Sequence, residues 1–187
     1  MTFKVSLFLL ILFVTNIAYP QSLEKLKDRK LRHDSSRSIL EEKQLVFVKT
    51  LNGEVVRITN SQLPNNIQTT YNVLVDPIDK TLLVGIYPYS ESGDWFLEHV
   101  YYFDDNDQIF AYNHQLNFFN GICASIIQQK TLYYFDQDSK EIFKEYTLTD
   151  ESGVDLTNKD CVFNYPYEPR FFNSLSEIIM EEGLNGW

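Results

Sequence analysis

The strongest constraint on this chain is a phrase that occurs twice. Val100-Tyr101-Tyr102-Phe103-Asp104, a polar break and Ile109-Phe110 return as Leu132-Tyr133-Tyr134-Phe135-Asp136, a polar break and Ile142-Phe143, with the second break one residue longer. Each copy reads as a β-hairpin: an aromatic strand, a turn rich in Asp, Asn and Ser, and a return strand. Alternation sends Val100 and Tyr102 to one face and Tyr101 and Phe103 to the other. It separates Leu132 and Tyr134 from Tyr133 and Phe135 in the same way. Both faces are then apolar, so at least one must meet a second sheet layer, a helix or a partner. Two copies are too few for a solenoid or a propeller.

The flanking sequence has the same character. Leu45–Leu51 meets Glu54–Thr59 across Asn52-Gly53, which predicts a hairpin with a type I′ turn. Pro64 lies in the loop that follows. Ile67–Val75 reads as a strand, Asp76–Lys80 as a turn with Pro77 at its first corner, and Thr81–Tyr87 as a central apolar strand. Trp95–His99 runs into the first repeat, Asn120-Gly121 signals another turn, and Cys161–Tyr165 reads as a short strand. Pro166 and Pro169 keep the next stretch extended. Ser174–Glu182 is the one clear helix, with a Ser174/Glu177 capping box, an apolar stripe of Leu175, Ile178 and Ile179, and Gly183 to end it.

The ends differ from this body. Lys4 followed by the apolar run Val5–Val14 and the small residue Ala18 has the layout of a secretory signal peptide over residues 1–21, too short to span a bilayer. Residues 22–44 are charged, with Leu23, Leu26 and Leu31 as a sparse stripe, and read as a mobile arm: a solvated linker before a basic tether. Residues 45–187 then form a single β-rich domain.

In an exported setting the two cysteines, Cys123 and Cys161, pair as a disulfide. Closing that 38-residue loop is worth about 4 kcal/mol in the chain-entropy model. Residues 1–44 carry net charge +3 and residues 45–187 carry −13. Such an acidic body repels nucleic acid and anionic lipid surfaces.

The sequence names no catalytic residue, metal ligand or cofactor. Asp104-Asp105-Asn106-Asp107 begins like a calcium loop, but its sixth position is Ile109 and its twelfth Gln115. Ordinary turn chemistry accounts for it and for Asp136–Lys140. His33, His99 and His114 have no zinc spacing, and His114 is expected near a strand end. Tyr87, Tyr89, Trp95, Tyr101 and Tyr133 are the candidate ligand-facing rings, with packing in the core as the competing use.

The sequence therefore predicts a mainly β fold: an antiparallel meander or hairpin sheet, two-layered or partly closed, with one C-terminal helix. The expected function is non-enzymatic binding of another exported or envelope protein, at a strand edge or an aromatic face. The alternatives are a carbohydrate-binding module using exposed rings and a hydrolase without a recognisable motif. No stable membrane span is expected. The expected location is secreted or periplasmic, and the Tyr, Phe, Asn and Ile bias fits a bacterial source.

Overall fold

The computed structural model describes residues 22–39, 44–59, 62–76, 80–159, 161 and 169–184. The expected leader (residues 1–21), the corner at Pro77, Pro166 and the strand beyond Cys161 lie outside them. Eight strands form one sheet: β1 (Gln44–Thr50), β2 (Val55–Ile58), β3 (Ile67–Val75), β4 (Thr81–Pro88), β5 (Trp95–Phe103), β6 (Ile109–Phe119), β7 (Ile126–Phe135) and β8 (Glu141–Asp150). Their order is β2-β1-β3-β4-β5-β6-β7-β8, and every neighbouring pair is antiparallel. From β3 onward the sheet is a plain meander, because each strand is long enough to pair and each connection is short.

The aromatic strands of the two repeats lie on β5 and β7, on either side of β6, in matched register. Tyr101 pairs with Tyr112 and Tyr112 with Tyr133. On the opposite face Tyr102 pairs with Ala111 and Ala111 with Tyr134. The first row stacks, with ring centroids 4.7 Å and 5.7 Å apart and planes within about twenty degrees. It continues through Val84 and Val73 toward Phe47 as the main core. The second row, with Leu74, Leu83, Val100 and Phe110, makes a core on the other side.

Both apolar faces are covered, and both by helices. Helix α2 (Leu175–Glu182) lies on the Tyr101 face and is tied to the β5–β6 turn. There the Leu175 N–H donates to the Asp107 carbonyl and the Ile109 N–H to the Asn173 carbonyl, each at 3.0 Å. Ser174 caps it by accepting from the Glu177 N–H, and Gly183 ends it in the left-handed conformation (φ 72°). The Glu177 carboxylate reaches the Asn173 N–H at 2.6 Å, one residue ahead of a standard capping box.

Helix α1 (Leu23–Ile39), within the stretch expected to be a charged arm, lies on the Tyr102 face. Leu26 is buried there among Leu74, Leu83, Tyr102, Ala111 and Tyr134, whereas Leu31 points to solvent. The sheet-facing stripe is Leu23, Leu26, Lys27, Lys30, His33, Asp34 and Arg37, at helical spacing. Hydropathy reads those charges as solvated. Charged groups of the helix instead lie over rings, with the Lys27 ammonium over Phe143, the Arg29 guanidinium over Phe110 and the Lys30 ammonium over Tyr102. Burying Leu26 gives about 1.5–3 kcal/mol, Leu23 packs on the same cluster, and hydrogen bonds from the Tyr102 hydroxyl to Asp34 and from Arg37 to the Tyr87 hydroxyl add to the hold.

The turns share one device. In Asp104–Gln108 and Asp136–Lys140 the first residue's N–H donates to the carbonyl of the fifth. The Asp side chain accepts from the third and fifth amides, and the fourth residue is left-handed (Asp107 φ 59°, Ser139 φ 58°). Asp150–Val154 repeats it with Gly153 as the left-handed residue. The two breaks are thus equal in length, not one residue different. Phe103 pairs with Ile109 and Phe135 with Glu141, so Glu141 takes the place of Ile109 and Ile142-Phe143 comes one step later. The exposed end of the edge strand tolerates that carboxylate. The Asn52-Gly53 hairpin also differs from expectation. Only Gly53 has positive φ (86°), and the loop is Leu51–Gly53, closed by the Thr50 N–H on the Glu54 carbonyl at 2.9 Å. A type I′ turn needs two left-handed residues, and Asn52 instead caps the Glu54 N–H.

Cys123 and Cys161 are disulfide-bonded, with Cα atoms 5.6 Å apart. They pack with Ile127, Leu148 and Leu156 in a small third cluster at the end of β6 and β7. Replacing both cysteines by Ser is expected to cost about 2–4 kcal/mol in urea unfolding. Tyr112→Ala, which empties the middle of the ring row, is expected to cost about 3–5 kcal/mol by the same measurement.

Candidate functional site

Two hollows lie along β3, one beside α2 and one at the rim of the sheet. The first is small, about 70 Å³, and is lined by Thr69, His99, Tyr101, Arg170, Phe172 and Glu182. Glu182 ends α2 on its buried stripe, one turn past Ile178. Its carboxylate accepts from the Tyr71 hydroxyl at 2.7 Å and from Arg170, and Lys49 stands 3.7 Å away. Burial and the adjacent carboxylate push the Tyr71 hydroxyl far above its ordinary pKa, so it remains a donor. A carboxylate with three partners is an anchor: it holds the C-terminal end of α2 to β1 and β3.

His99 and His114 face each other across β5 and β6 with ring centroids 5.1 Å apart. His114 lies in the body of β6 and is buried, not at a strand end as the sequence suggested. The His99 Nδ1 and the Tyr112 hydroxyl are 2.7 Å apart. Burial first, then the neighbouring His114 and Arg170, push His99 down to about 3, and burial pushes His114 down to about 4. Both imidazoles are therefore neutral near pH 7. A proton-transfer catalyst works best with a pKa near the operating pH, which these rings do not have.

The second hollow is larger, about 360 Å³, and opens at the rim of the sheet. It is lined by Leu51 from the β1–β2 loop, Pro64, Asn66 and Ile67 from the approach to β3, and Tyr89 and Glu91 from the β4–β5 loop. The Leu51 N–H donates to the Asn66 carbonyl at 3.0 Å and the Tyr89 N–H to the Gln68 carbonyl at 2.9 Å, so the three loops are tied together. Leu51 is 59% exposed and Tyr89 55% exposed, and Leu63, next to Pro64, is 58% exposed. Isolated apolar side chains on a surface need no explanation. Large ones gathered at one rim, beside a carboxylate, are what a binding surface offers.

The five candidate rings do not form one platform. Tyr101 and Tyr133 are 1% and 6% exposed and belong to the stacked row in the core. Tyr87 is half-buried on the α1 face, where Arg37 donates to its hydroxyl at 2.5 Å. Trp95 is half-buried, and of the five only Tyr89 is freely exposed. Sequence reasoning missed Glu182, Arg170 and Lys49. One signal was there: Glu182 falls on the helical stripe of Leu175, Ile178 and Ile179, an odd place for a carboxylate without a partner.

Asp104 and Asp136 each turn their Oδ1 to two amides of their own loops. Among the described residues no three of His, Cys, Asp and Glu gather to hold a metal ion, and no helix is long and apolar enough to cross a membrane. Comparison with protein-family models found no match, and comparisons with curated proteins and with solved structures found none either.

The buried histidines give the fold a defined pH dependence. Their folded pKa values lie below the unfolded value of 6.5. The unfolded chain therefore binds more protons, and stability is full above about pH 6.5 and falls as the pH drops toward 4. At pH 5 each histidine is expected to cost roughly 2 kcal/mol relative to pH 7.5. Urea unfolding at the two pH values checks this, and His99→Gln is expected to flatten the slope.

Proposed function

We propose that the protein is an exported binding module that engages another protein at the rim groove formed by Leu51, Pro64, Ile67 and Tyr89. The observation that carries the reading is the gathering of Leu51 and Tyr89, both more than half exposed, from two separate loops that are each hydrogen-bonded to the chain entering β3. A groove held open in this way loses little freedom when it binds. The body's charge of −13 over residues 45–187, with Glu91 in the groove, suits an apolar segment flanked by Lys or Arg. Two features support export: the leader-like layout of residues 1–21 and the Cys123–Cys161 disulfide, a bond that persists in oxidising compartments.

Affinity capture from the native envelope or medium, with the chain lacking residues 1–21 as bait, tests this reading. One stoichiometric protein is expected on the wild-type bait. Leu51→Ser with Tyr89→Ala is expected to lower its retention at least about tenfold, as for two central contact residues. The unfolding midpoint is expected to stay unchanged, because both side chains face solvent. Equal retention on the variant, or retention of the bait on glycans alone, rejects the proposal.

A further inference from the structure

The two hairpins of the repeat differ at one position that alters the surface. The first sets Ile109 against Phe103, and both are buried. The second sets Glu141, which is exposed, against the half-buried Phe135. That carboxylate stands at an open hollow of about 220 Å³ beside the start of α2, whose lining includes Phe135, Ser139, Phe171, Phe172 and Asn173. Phe171 is 53% exposed and stands edge-on to Tyr133 at 5.1 Å and to Phe135 at 6.3 Å. Rings on this face already hold cations: Lys144 lies over Tyr133 at 5.1 Å and Arg170 over Phe172 at 5.0 Å. Among the described residues no cation lies over Phe135 or Phe171, and Glu141 makes no ion pair. The turn from Asp136 to Glu141 sets three carboxylates against Lys140, a net charge of −2.

We infer that this hollow binds a quaternary methylammonium group, held against Phe135 and Phe171 with Glu141 as its counter-charge. The lining discriminates among cations. A primary ammonium has three donors and a guanidinium five, and each donor needs an acceptor once it leaves water. Phenyl walls supply none, so such groups gain most by staying hydrated beside Glu141 at the opening. A methylated ammonium has no donor to satisfy. It carries its charge on apolar surface, which suits ring faces and a single carboxylate. The group is common to free choline-like solutes and to the heads of zwitterionic lipids. The hollow lies at the opposite end of the strands from the rim groove, so the inference and the proposed function stand or fall separately.

Nuclear magnetic resonance titration of the full chain with choline chloride, at constant ionic strength, tests this. Saturable shifts are expected at Phe135, Ser139, Glu141 and Phe171, with half-saturation below about 10 mM. n-Butylammonium is expected to bind severalfold more weakly. Glu141→Ile, which gives the second hairpin the residue of the first, is expected to weaken choline at least about tenfold without lowering the unfolding midpoint. Phe171→Leu keeps apolar bulk but removes a ring face, and is expected to weaken it severalfold. The Leu51→Ser/Tyr89→Ala variant is expected to bind choline like the wild type. Phosphatidylcholine vesicles distinguish the sources: sedimentation that choline competes away assigns the group to a lipid head, and choline binding without sedimentation assigns it to a soluble cation. Shifts that do not saturate by about 100 mM choline, equal binding of n-butylammonium, or equal binding by the Glu141→Ile chain overturns the inference.

Discussion

The row of Tyr101, Tyr112 and Tyr133 is the interaction on which the rest of the molecule depends. Stacked aromatic pairs are worth about 0.5–1.5 kcal/mol beyond the area they bury, but position matters more here than that increment. The row runs across β5, β6 and β7 at mid-sheet, and α2 with Phe172 closes over it. A slip of one residue would send each ring to the opposite face. Hydropathy alone does not forbid the slip, because Tyr101-Tyr102 and Tyr133-Tyr134 are aromatic on both sides. The turns forbid it. Asp104 and Asp136 count the same number of residues to a left-handed position, so both hairpins close at the same height. Ala111, between Tyr102 and Tyr134, makes the second face unequal to the first and leaves the floor that receives Leu26.

Charge is distributed with equal consequence. The first 44 residues carry a positive excess and the remainder a large negative one. Part of the positive excess lies against the acidic sheet as α1, where Arg29 and Arg37 meet Asp105 and Glu98. This lowers the self-repulsion of the body. It also makes the attachment of α1 depend on screening in a way that the attachment of α2 does not. Helix α2 is held by Leu175 and Ile178 and by a buried carboxylate with three partners, which salt barely reaches.

The strands were legible because period-two alternation and Asp-rich turns survive without any knowledge of what covers the sheet. Ile67–Val75 is the strand that alternation predicts, and Cys123 and Cys161 form the disulfide expected of the two cysteines. The helix over the Tyr101 face was legible at Ser174–Glu182, whereas the one over the Tyr102 face was not. Helix α1 has too few apolar residues to be recognised as packed, since cations over rings and polar side chains carry much of the contact. For the same reason Tyr89 and Tyr101 look alike in the chain, although one is open to solvent and the other is sealed beneath Phe172. Burial of an aromatic residue depends on the other side of the layer, and no local pattern reports it.

The anchor and the rim groove are two ends of one mechanical unit. Lys49, which approaches Glu182, is two residues from Leu51, and Tyr71, which donates to Glu182, lies on the strand that begins at Ile67. Fixing Glu182 therefore fixes the bases of two of the loops that shape the groove, and the Leu51–Asn66 hydrogen bond joins them above it. A buried carboxylate is a costly way to hold a helix, because its charge must be fully compensated. Its use becomes intelligible if the demand is for position: apolar packing alone lets a short helix slide, whereas Tyr71, Arg170 and Lys49 converge on one point. Loop rigidity at the rim is then set from the interior, and the proposed binding surface rests on the same contacts that seat α2.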